Sequence, residues 1–194
     1  MYYMNESNIH IQKAFDWLAQ ENGVGFLTAE ELCATRDVFQ ARLEKMNIFL
    51  KREPQLDEIF SFIVTIVGEI GNNAFDHNLG TWRDEAGLYF YYDIPSRLVV
   101  LADRGLGIRT TLKRVRPEIQ NDCEALMIAL KEVVTGRAPE KRGNGLKLVE
   151  KLVLTQNMEL DMYSGAGHYT IKQGLTACSG EERAYQGVIA VLKF

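Results

Sequence analysis

The chain has 194 residues, of which 46% are hydrophobic and 25% charged, and its net charge is −4. This composition predicts one globular domain with a sizeable core and excludes a disordered or low-complexity chain. The longest apolar run, residues 59–67, is too short for a membrane span, and the first residues carry no secretory-signal pattern. Because the overall balance is acidic, nucleic acid is also disfavoured. We therefore expect a cytoplasmic protein with no membrane or nucleic-acid partner.

Two amphipathic helices are predicted in residues 1–53, which we treat as an N-terminal helical segment before a domain at 54–194. Ser7 can cap the first helix, and Asn22-Gly23 ends it. A capping box, Thr28-Ala29-Glu30-Glu31, precedes the second helix. The apolar stripes of these helices either pack on the domain or form a homodimer interface. The stripes are Ile11, Phe15 and Leu18, then Leu32, Phe39, Leu43, Met46 and Leu50.

A third helix is predicted to begin at Pro54 and to end before Gly80, with a broad apolar face. Beyond it the hydrophobic period changes to that of strands, and Asp103 lies at the exit of a buried strand. The remaining elements are a β-hairpin at 87–94 and 97–102, helices at about 107–115, 122–134 and 145–156, strands at 158–163, 168–172 and 187–192, and turns at Ser164-Gly165 and Ser179-Gly180.

This order of elements predicts an α/β fold. Helices followed by a hairpin, and helices followed by strands, favour a two-layer sandwich in which a mixed β-sheet is covered on one face by helices. The three cysteines, Cys33, Cys123 and Cys178, are odd in number, widely spaced and without a C-x-x-C pair. They predict free thiols rather than a disulfide framework or a zinc site.

A polar cluster interrupts the apolar third helix. Glu69, Asn73 and either Asp76 or His77 follow at i, i+4 and i+7 or i+8, so they project from one face. Carboxylate and carboxamide oxygens of this kind can hold Mg²⁺ that is shared with substrate phosphates. The alternative is an ordinary solvated helix face.

Two glycine-containing turns follow. The first, Asp103-Arg104-Gly105-Leu106-Gly107-Ile108, leaves a strand, and its glycines allow a sharp turn and a close approach to a ligand. The second, Lys141-Arg142-Gly143-Asn144-Gly145-Leu146, opens a helix, where free amides and the helix dipole favour an anion. Residues 103–151 hold 11 basic against 7 acidic residues, so this stretch is locally positive. Each turn alone is also compatible with ordinary turn chemistry.

Together, the three motifs resemble a known family. An E-x-x-x-N-A-x-D-H helix, D-x-G-x-G after a strand, and R-G-x-G-L at a helix start resemble the N, G1 and G2 boxes of the GHKL superfamily. That superfamily comprises gyrase-type ATPases, the large heat-shock chaperone, histidine kinases and mismatch-repair ATPases. The resemblance covers about residues 55–194 and implies the left-handed ATP-binding (Bergerat-type) sandwich, with an ATP lid at about 109–142.

The resemblance also implies roles for individual residues. Asn73 coordinates Mg²⁺, Glu69 orients or deprotonates the attacking group, and Asp103 accepts the adenine amino group. Gly105 and Gly107 let adenine approach, and Gly143, Gly145 and Leu146 cradle phosphates. The full expected nucleotide-binding set is Asn73, Asp76, His77, Asp103, Gly105, Gly107, Ile108, Lys141, Arg142, Gly143, Asn144, Gly145 and Leu146, with Glu69 as the catalytic residue.

The chain departs from the family at two places. His10 lies in no phosphoacceptor-like context, and Gly187-Val188 stands where the family often has Gly-Thr. Two functions are therefore open: an Mg-ATP-binding protein that phosphorylates or remodels a protein partner, and a nucleotide-dependent regulatory module, similar to anti-sigma switches, with little or no turnover.

Overall fold

The computed structural model describes residues 6–132 and 145–194, which form an antiparallel sheet with helices on both faces. The strand order is β1-β2-β3-β5-β4. All four pairings are antiparallel, so the mixed sheet that we predicted is wrong for the described chain. The reason is that β5 lies between β3 and β4, which would otherwise be parallel neighbours. The strands are β1 (Leu32–Cys33), β2 (Leu88–Asp93), β3 (Leu98–Asp103), β4 (Glu159–Lys172) and β5 (Leu175–Lys193).

The helices follow the predicted order. No helix in the described part of the chain is both long and apolar enough to cross a membrane. A 3₁₀ turn, Pro54–Leu56, precedes the third helix, which therefore begins later than predicted. The helices are α1 (Glu6–Ala19), α2 (Arg36–Leu50), α3 (Phe60–Asn78), α4 (Ile108–Leu112), α5 (Asp122–Lys131) and α6 (Gly145–Thr155).

The N-cap of the second helix is Thr35, seven residues after the predicted cap Thr28. Thr28 and Glu31 do make capping contacts, with the Thr28 amide donating to Glu31 Oε2 at 2.9 Å. No helix follows, because the next residues form β1 and pair with β2. The helix is capped instead by Thr35, whose hydroxyl accepts the Val38 amide at 3.3 Å.

Both faces of the sheet are covered, which corrects the prediction of a single covered face. On one face α2, α3, α5 and α6 pack against the sheet in the larger apolar cluster. On the other face α1 packs through Ala14, Trp17 and Leu18 against β2, β3 and β5. Helix α2 buries Phe39, Leu43, Met46 and Leu50 in the larger cluster. The apolar stripes that we considered for a homodimer are therefore packed inside the chain.

The strand β4 reverses direction near Ser164. Glu159 and Lys172 would be roughly 43 Å apart in an extended strand, yet their side chains lie 3.9 Å apart. His168 likewise reaches Asp161 Oδ1 at 2.8 Å and Glu181 Oε1 at 3.2 Å. The pairing with β5 shifts register between Ser164 and Gly167, where Gly165 has a φ of +60°. Ser164 and Gly165 therefore lie at a bend within one strand, β4, where we predicted two strands separated by a turn.

The other turn in the tail is not where we predicted it. Ser179 and Gly180 lie within β5 and pair with His168 and Gly167. The tight turn falls instead at Gln173 and Gly174, which both have positive φ. Asn or Gly commonly occupies such positions, and the Gln there hides the turn from a sequence pattern.

The prediction of three free thiols is wrong. Cys123, at the start of α5, forms a disulfide with Cys178 of β5, with 5.8 Å between their Cα atoms. Only Cys33 is free, and it is buried. The pair was not visible in the sequence because its partners are separated by 55 residues and lie in no recognisable spacing.

Arg104 joins α1 to the end of β3. It is fully buried, and its guanidinium donates to both Asp84 carboxylate oxygens at 2.8 and 2.5 Å. It also donates to the backbone carbonyls of Trp17 and Gln20 at the end of α1. These hydrogen bonds from Arg104 hold the pKa of Asp84 well below its usual range. Four hydrogen bonds thus compensate this buried charge and tie it to the end of α1.

We expect Arg104→Ala to lower the free energy of unfolding by about 3–5 kcal/mol, because it removes four hydrogen bonds to Asp84, Trp17 and Gln20. Urea denaturation followed by tryptophan fluorescence measures this loss. Arg114→Ala removes an exposed guanidinium and is the control, with an expected change below about 0.5 kcal/mol. Equal losses in the two variants would contradict the role of Arg104.

Candidate functional site

A single cavity of about 850 Å³ lies between α3, the exit of β3 and the start of α6. Helix α2 adds Arg36 and Gln40 to its wall. Apolar side chains from the sheet, including Leu101, Met162 and Val188, form its floor. The three separate sequence motifs meet here. Nine of the predicted site residues line the cavity: Glu69, Asn73, Asp76, His77, Asp103, Gly107, Ile108, Gly145 and Leu146.

Glu69 and Asn73 lie against the first residue of α6. A Cβ atom placed on Gly145 would be 2.3 Å from Glu69 Oε2 and 3.9 Å from Asn73 Nδ2. A larger residue at position 145 would therefore force the Glu69 carboxylate to move away from the start of α6. The polar cluster of α3 and the glycine-containing turn before α6 thus meet at the positive end of the α6 dipole. Glu69 and Gly145 are 76 residues apart in the sequence.

The donor set at this end suits a shared magnesium ion. Among the described residues, no group of three His, Cys, Asp or Glu side chains could hold a metal ion by itself. Glu69 offers a carboxylate and Asn73 a carboxamide oxygen. Mg²⁺ is commonly held by one or two protein oxygens together with water and substrate phosphates, so these two residues fit that mode.

Asp76 and His77 lie farther along α3. Arg36, the first residue of α2, forms an ion pair with Asp76, and both side chains are partly exposed. Gln40, one turn after Arg36 on α2, donates to Oδ1 of Asn72, one turn before Asp76 on α3, at 2.8 Å. The side wall of the cavity is therefore built from residues of the N-terminal helical segment as well as from α3.

Asp103 lies at the opposite end of the cavity and is buried. Its Oδ1 accepts the Gly105 amide at 2.9 Å and the Asn78 carboxamide Nδ2 at 3.1 Å. In the described chain, Oδ2 receives no hydrogen bond. Burial raises the pKa of Asp103 to about 6, although the donors Gly105 and Asn78 oppose that rise. The side chain is thus a fixed acceptor with one oxygen left for a ligand.

Gly105 does not line the cavity, although Asp103, Gly107 and Ile108 of the same motif do. A Cβ atom on Gly105 would lie 2.0 Å from Asn78 Cγ. Its lack of a side chain therefore makes room for Asn78, rather than directly for a ligand. Asn78 in turn accepts the Leu106 amide at 2.9 Å and so holds the turn after β3.

The turn after β3 is also held from the strand side. The Ile108 amide donates to Ser164 Oγ at 2.9 Å, and this hydroxyl donates to the Gly187 carbonyl at 3.0 Å. A Cβ atom on Gly187 would lie 1.9 Å from the Asp103 carbonyl oxygen. Glycine is thus required at position 187 because the backbones of β5 and β3 approach each other closely there. The next residue, Val188, lines the cavity floor.

Sequence reasoning missed several residues that build the site, among them Asn78, Ser164 and Arg36. Only Asn78 carries a signal: it is a polar residue one turn after Ala74, where the buried stripe of α3 would next place an apolar side chain. Four predicted residues, Lys141, Arg142, Gly143 and Asn144, lie outside the described residues.

Comparison with known proteins identifies no family. No protein-family model matches the chain, and no curated protein sequence matches it.

Asp103 should give stability a measurable pH dependence. Its pKa is about 6 in the folded chain, above its ordinary value of 3.8, so the folded state binds more protons between these values. The free energy of unfolding contributed by this group therefore falls as the pH rises through that window. We subtract the free energy of unfolding of Asp103→Asn from that of the parent protein. We expect this difference to be larger near pH 4.5 than near pH 7.5, by on the order of 2 kcal/mol.

Urea denaturation at the two pH values measures this difference. Acid effects on other groups, such as Asp84, cancel because both proteins share them. The variant Asp57→Asn removes an exposed carboxylate and serves as the control. A pH-independent difference for Asp103→Asn would show that Asp103 is not a buried acid of raised pKa.

Proposed function

We propose that the chain binds Mg-ATP in this cavity and uses its γ-phosphate to phosphorylate or remodel a protein partner. The observation that supports this proposal is that one cavity unites residues of α3, the β3 exit and the α6 start. These are the elements on which the GHKL resemblance depends. A cavity of this volume also accommodates a ligand of nucleotide size.

The adenine ring binds at the Asp103 end. There Oδ2 accepts a hydrogen from the exocyclic amino group, and the apolar floor covers one ring face. Ile108, Met162 and Val188 belong to that lining. A buried carboxylate oxygen with no internal donor is a strong acceptor for an amino group, because hydrogen bonds to charged groups are worth about 1.5–3 kcal/mol.

The phosphates bind at the other end, near Gly145. Glu69 and Asn78 are separated by nine residues of α3, roughly 13 Å along the helix axis. This length leaves room for the ribose and phosphates between the adenine end and the α6 terminus. The amides and the dipole of α6 favour the phosphate charge there.

Glu69 acts on the attacking group at the phosphate end. Asn73 would hold Mg²⁺, which would neutralise phosphate charge when bound. The Glu69 carboxylate orients and deprotonates the nucleophile, whether water or a partner's hydroxyl. The remaining work of this site is positioning, which is what phosphoryl transfer requires of a protein.

The fate of the γ-phosphate tests the proposal. We expect the protein, incubated with Mg-ATP labelled at that phosphate, to release labelled phosphate or to carry the label. Glu69→Ala should lower turnover at least about 100-fold and still bind ATP, because the general base is lost but the adenine contact remains. Glu58→Ala, an exposed carboxylate just before α3, is the matched control.

Three outcomes separate the alternatives. Turnover that survives Glu69→Ala would remove the role of Glu69. ATP binding without release in the parent protein would favour the nucleotide-dependent switch. Absence of ATP binding would overturn the proposal as a whole.

Asp103→Asn tests the adenine end. Because Oδ1 of residue 103 accepts two fixed donors, an asparagine there would turn its Nδ2 toward the cavity. We expect ATP affinity to fall about 10- to 100-fold and inosine triphosphate, which has a carbonyl in place of the amino group, to bind at least as tightly as before. Competition binding with the two nucleotides measures the change. Equal ATP affinity in both proteins would refute the contact.

A further inference from the structure

Asn78 is the last residue of α3 and is buried, so its polar side chain must find hydrogen-bond partners inside the protein. It is 4% exposed and is one of four buried polar or charged residues in the described chain. Its Nδ2 donates to the Ala74 carbonyl at 2.9 Å and to Asp103 Oδ1 at 3.1 Å. Its Oδ1 accepts the Leu106 amide at 2.9 Å. The carboxamide thus links α3, the end of β3 and the following turn.

These contacts decide which oxygen of Asp103 is already hydrogen-bonded. The Asn78 and Gly105 donors both point at Oδ1, so rotation of the carboxylate would break two hydrogen bonds at once. Oδ2 receives no hydrogen bond from the described chain, and Asp103 lines the cavity, so we infer that Oδ2 is the acceptor offered to a ligand. The direction of the acceptor is therefore set by Asn78 and not by Asp103 alone.

The side chain at position 78 must donate and accept in fixed directions. A carboxamide does both and carries no charge. A carboxylate in its place would put like charges side by side and disfavour the ionised form of Asp103. Gly105 packs closely against this carboxamide, because a Cβ atom there would lie 2.0 Å from Asn78 Cγ.

We propose that Asn78 is the positioning residue that makes the cavity selective for a purine carrying an amino group at position 6. This inference rests on the proposed function, because it concerns the base that the Mg-ATP site accepts. Asn78 does not touch the base; it acts through Asp103, by holding Oδ1 away from the ligand. Its loss therefore lowers discrimination between bases more than it lowers nucleotide binding in general.

The ratio of ATP to inosine triphosphate affinity tests the inference. We expect Asn78→Ala to reduce this ratio about 10-fold, the value of one hydrogen bond to a charged group. Asn78→Ser is a second variant, in case the alanine variant does not fold. A serine hydroxyl can keep the bond to the Ala74 carbonyl, as is common within helices, but it is too short to reach Asp103. Asn47→Ala, an exposed carboxamide on α2, is the control and should leave the ratio unchanged.

A double-mutant cycle separates positioning from a general structural effect. If Asn78 acts through Asp103, then Asn78→Ala changes the ratio in the parent protein but changes it little in an Asp103→Asn background. A purely structural loss would weaken both nucleotides equally in both backgrounds. The folded state of every variant is checked by urea denaturation before binding is compared.

The outcomes distinguish this inference from the proposed function. A parent protein that binds neither nucleotide overturns the proposed function. A parent protein that prefers ATP, with the same preference in Asn78→Ala and Asn78→Ser, overturns the role of Asn78 and leaves the nucleotide site in place. Loss of preference in these variants, absent from the Asp103→Asn background, supports the inference.

Discussion

Two consecutive buried charges at the end of β3 constrain the rest of the structure. Asp103 faces the side of the sheet that α3 covers, and Arg104 faces the side that α1 covers. A charge in the interior is tolerated only when hydrogen bonds replace those that water supplied. Asp103 therefore requires Asn78 and the Gly105 amide, and Arg104 requires Asp84 and the end of α1. Satisfying both residues fixes a helix on each face of the sheet.

The cavity has two ends of different construction. At the Asp103 end, side chains of α3 and β4 hold the backbone turn, since Asn78 accepts the Leu106 amide and Ser164 accepts the Ile108 amide. At the other end, Glu69 lies against the backbone of Gly145, where a helix begins. The first end offers a rigid acceptor and the second offers amides and a dipole. A base and a group of phosphates are the kinds of ligand that such ends distinguish.

Much of the site followed from helical periodicity. Glu69, Asn73 and His77 were placed on one face of α3 because residues three and four apart share a face, and all three line the cavity. The strand before Asp103 and the helix start at Gly145 were also predicted from local patterns. The start of α2 was predicted wrongly. The Thr28–Glu31 capping contact forms, but the residues after it pair with β2 as strand β1 instead of starting a helix. The disulfide was also not predicted, because it joins residues of α5 and β5 that are far apart in the sequence.

The sequence by itself determined the order and type of most elements, the apolar faces of α1, α2 and α3, and the three motifs. These depend on side chains within a few positions of each other. The tertiary structure alone decided that α1 covers the second face, that the sheet is antiparallel, and that Asn78 directs Asp103. The partners of Arg104 lie 20 to 87 residues away and those of Asn78 up to 28. Such contacts arise only when the whole chain folds, because no local pattern records which distant donor meets which acceptor.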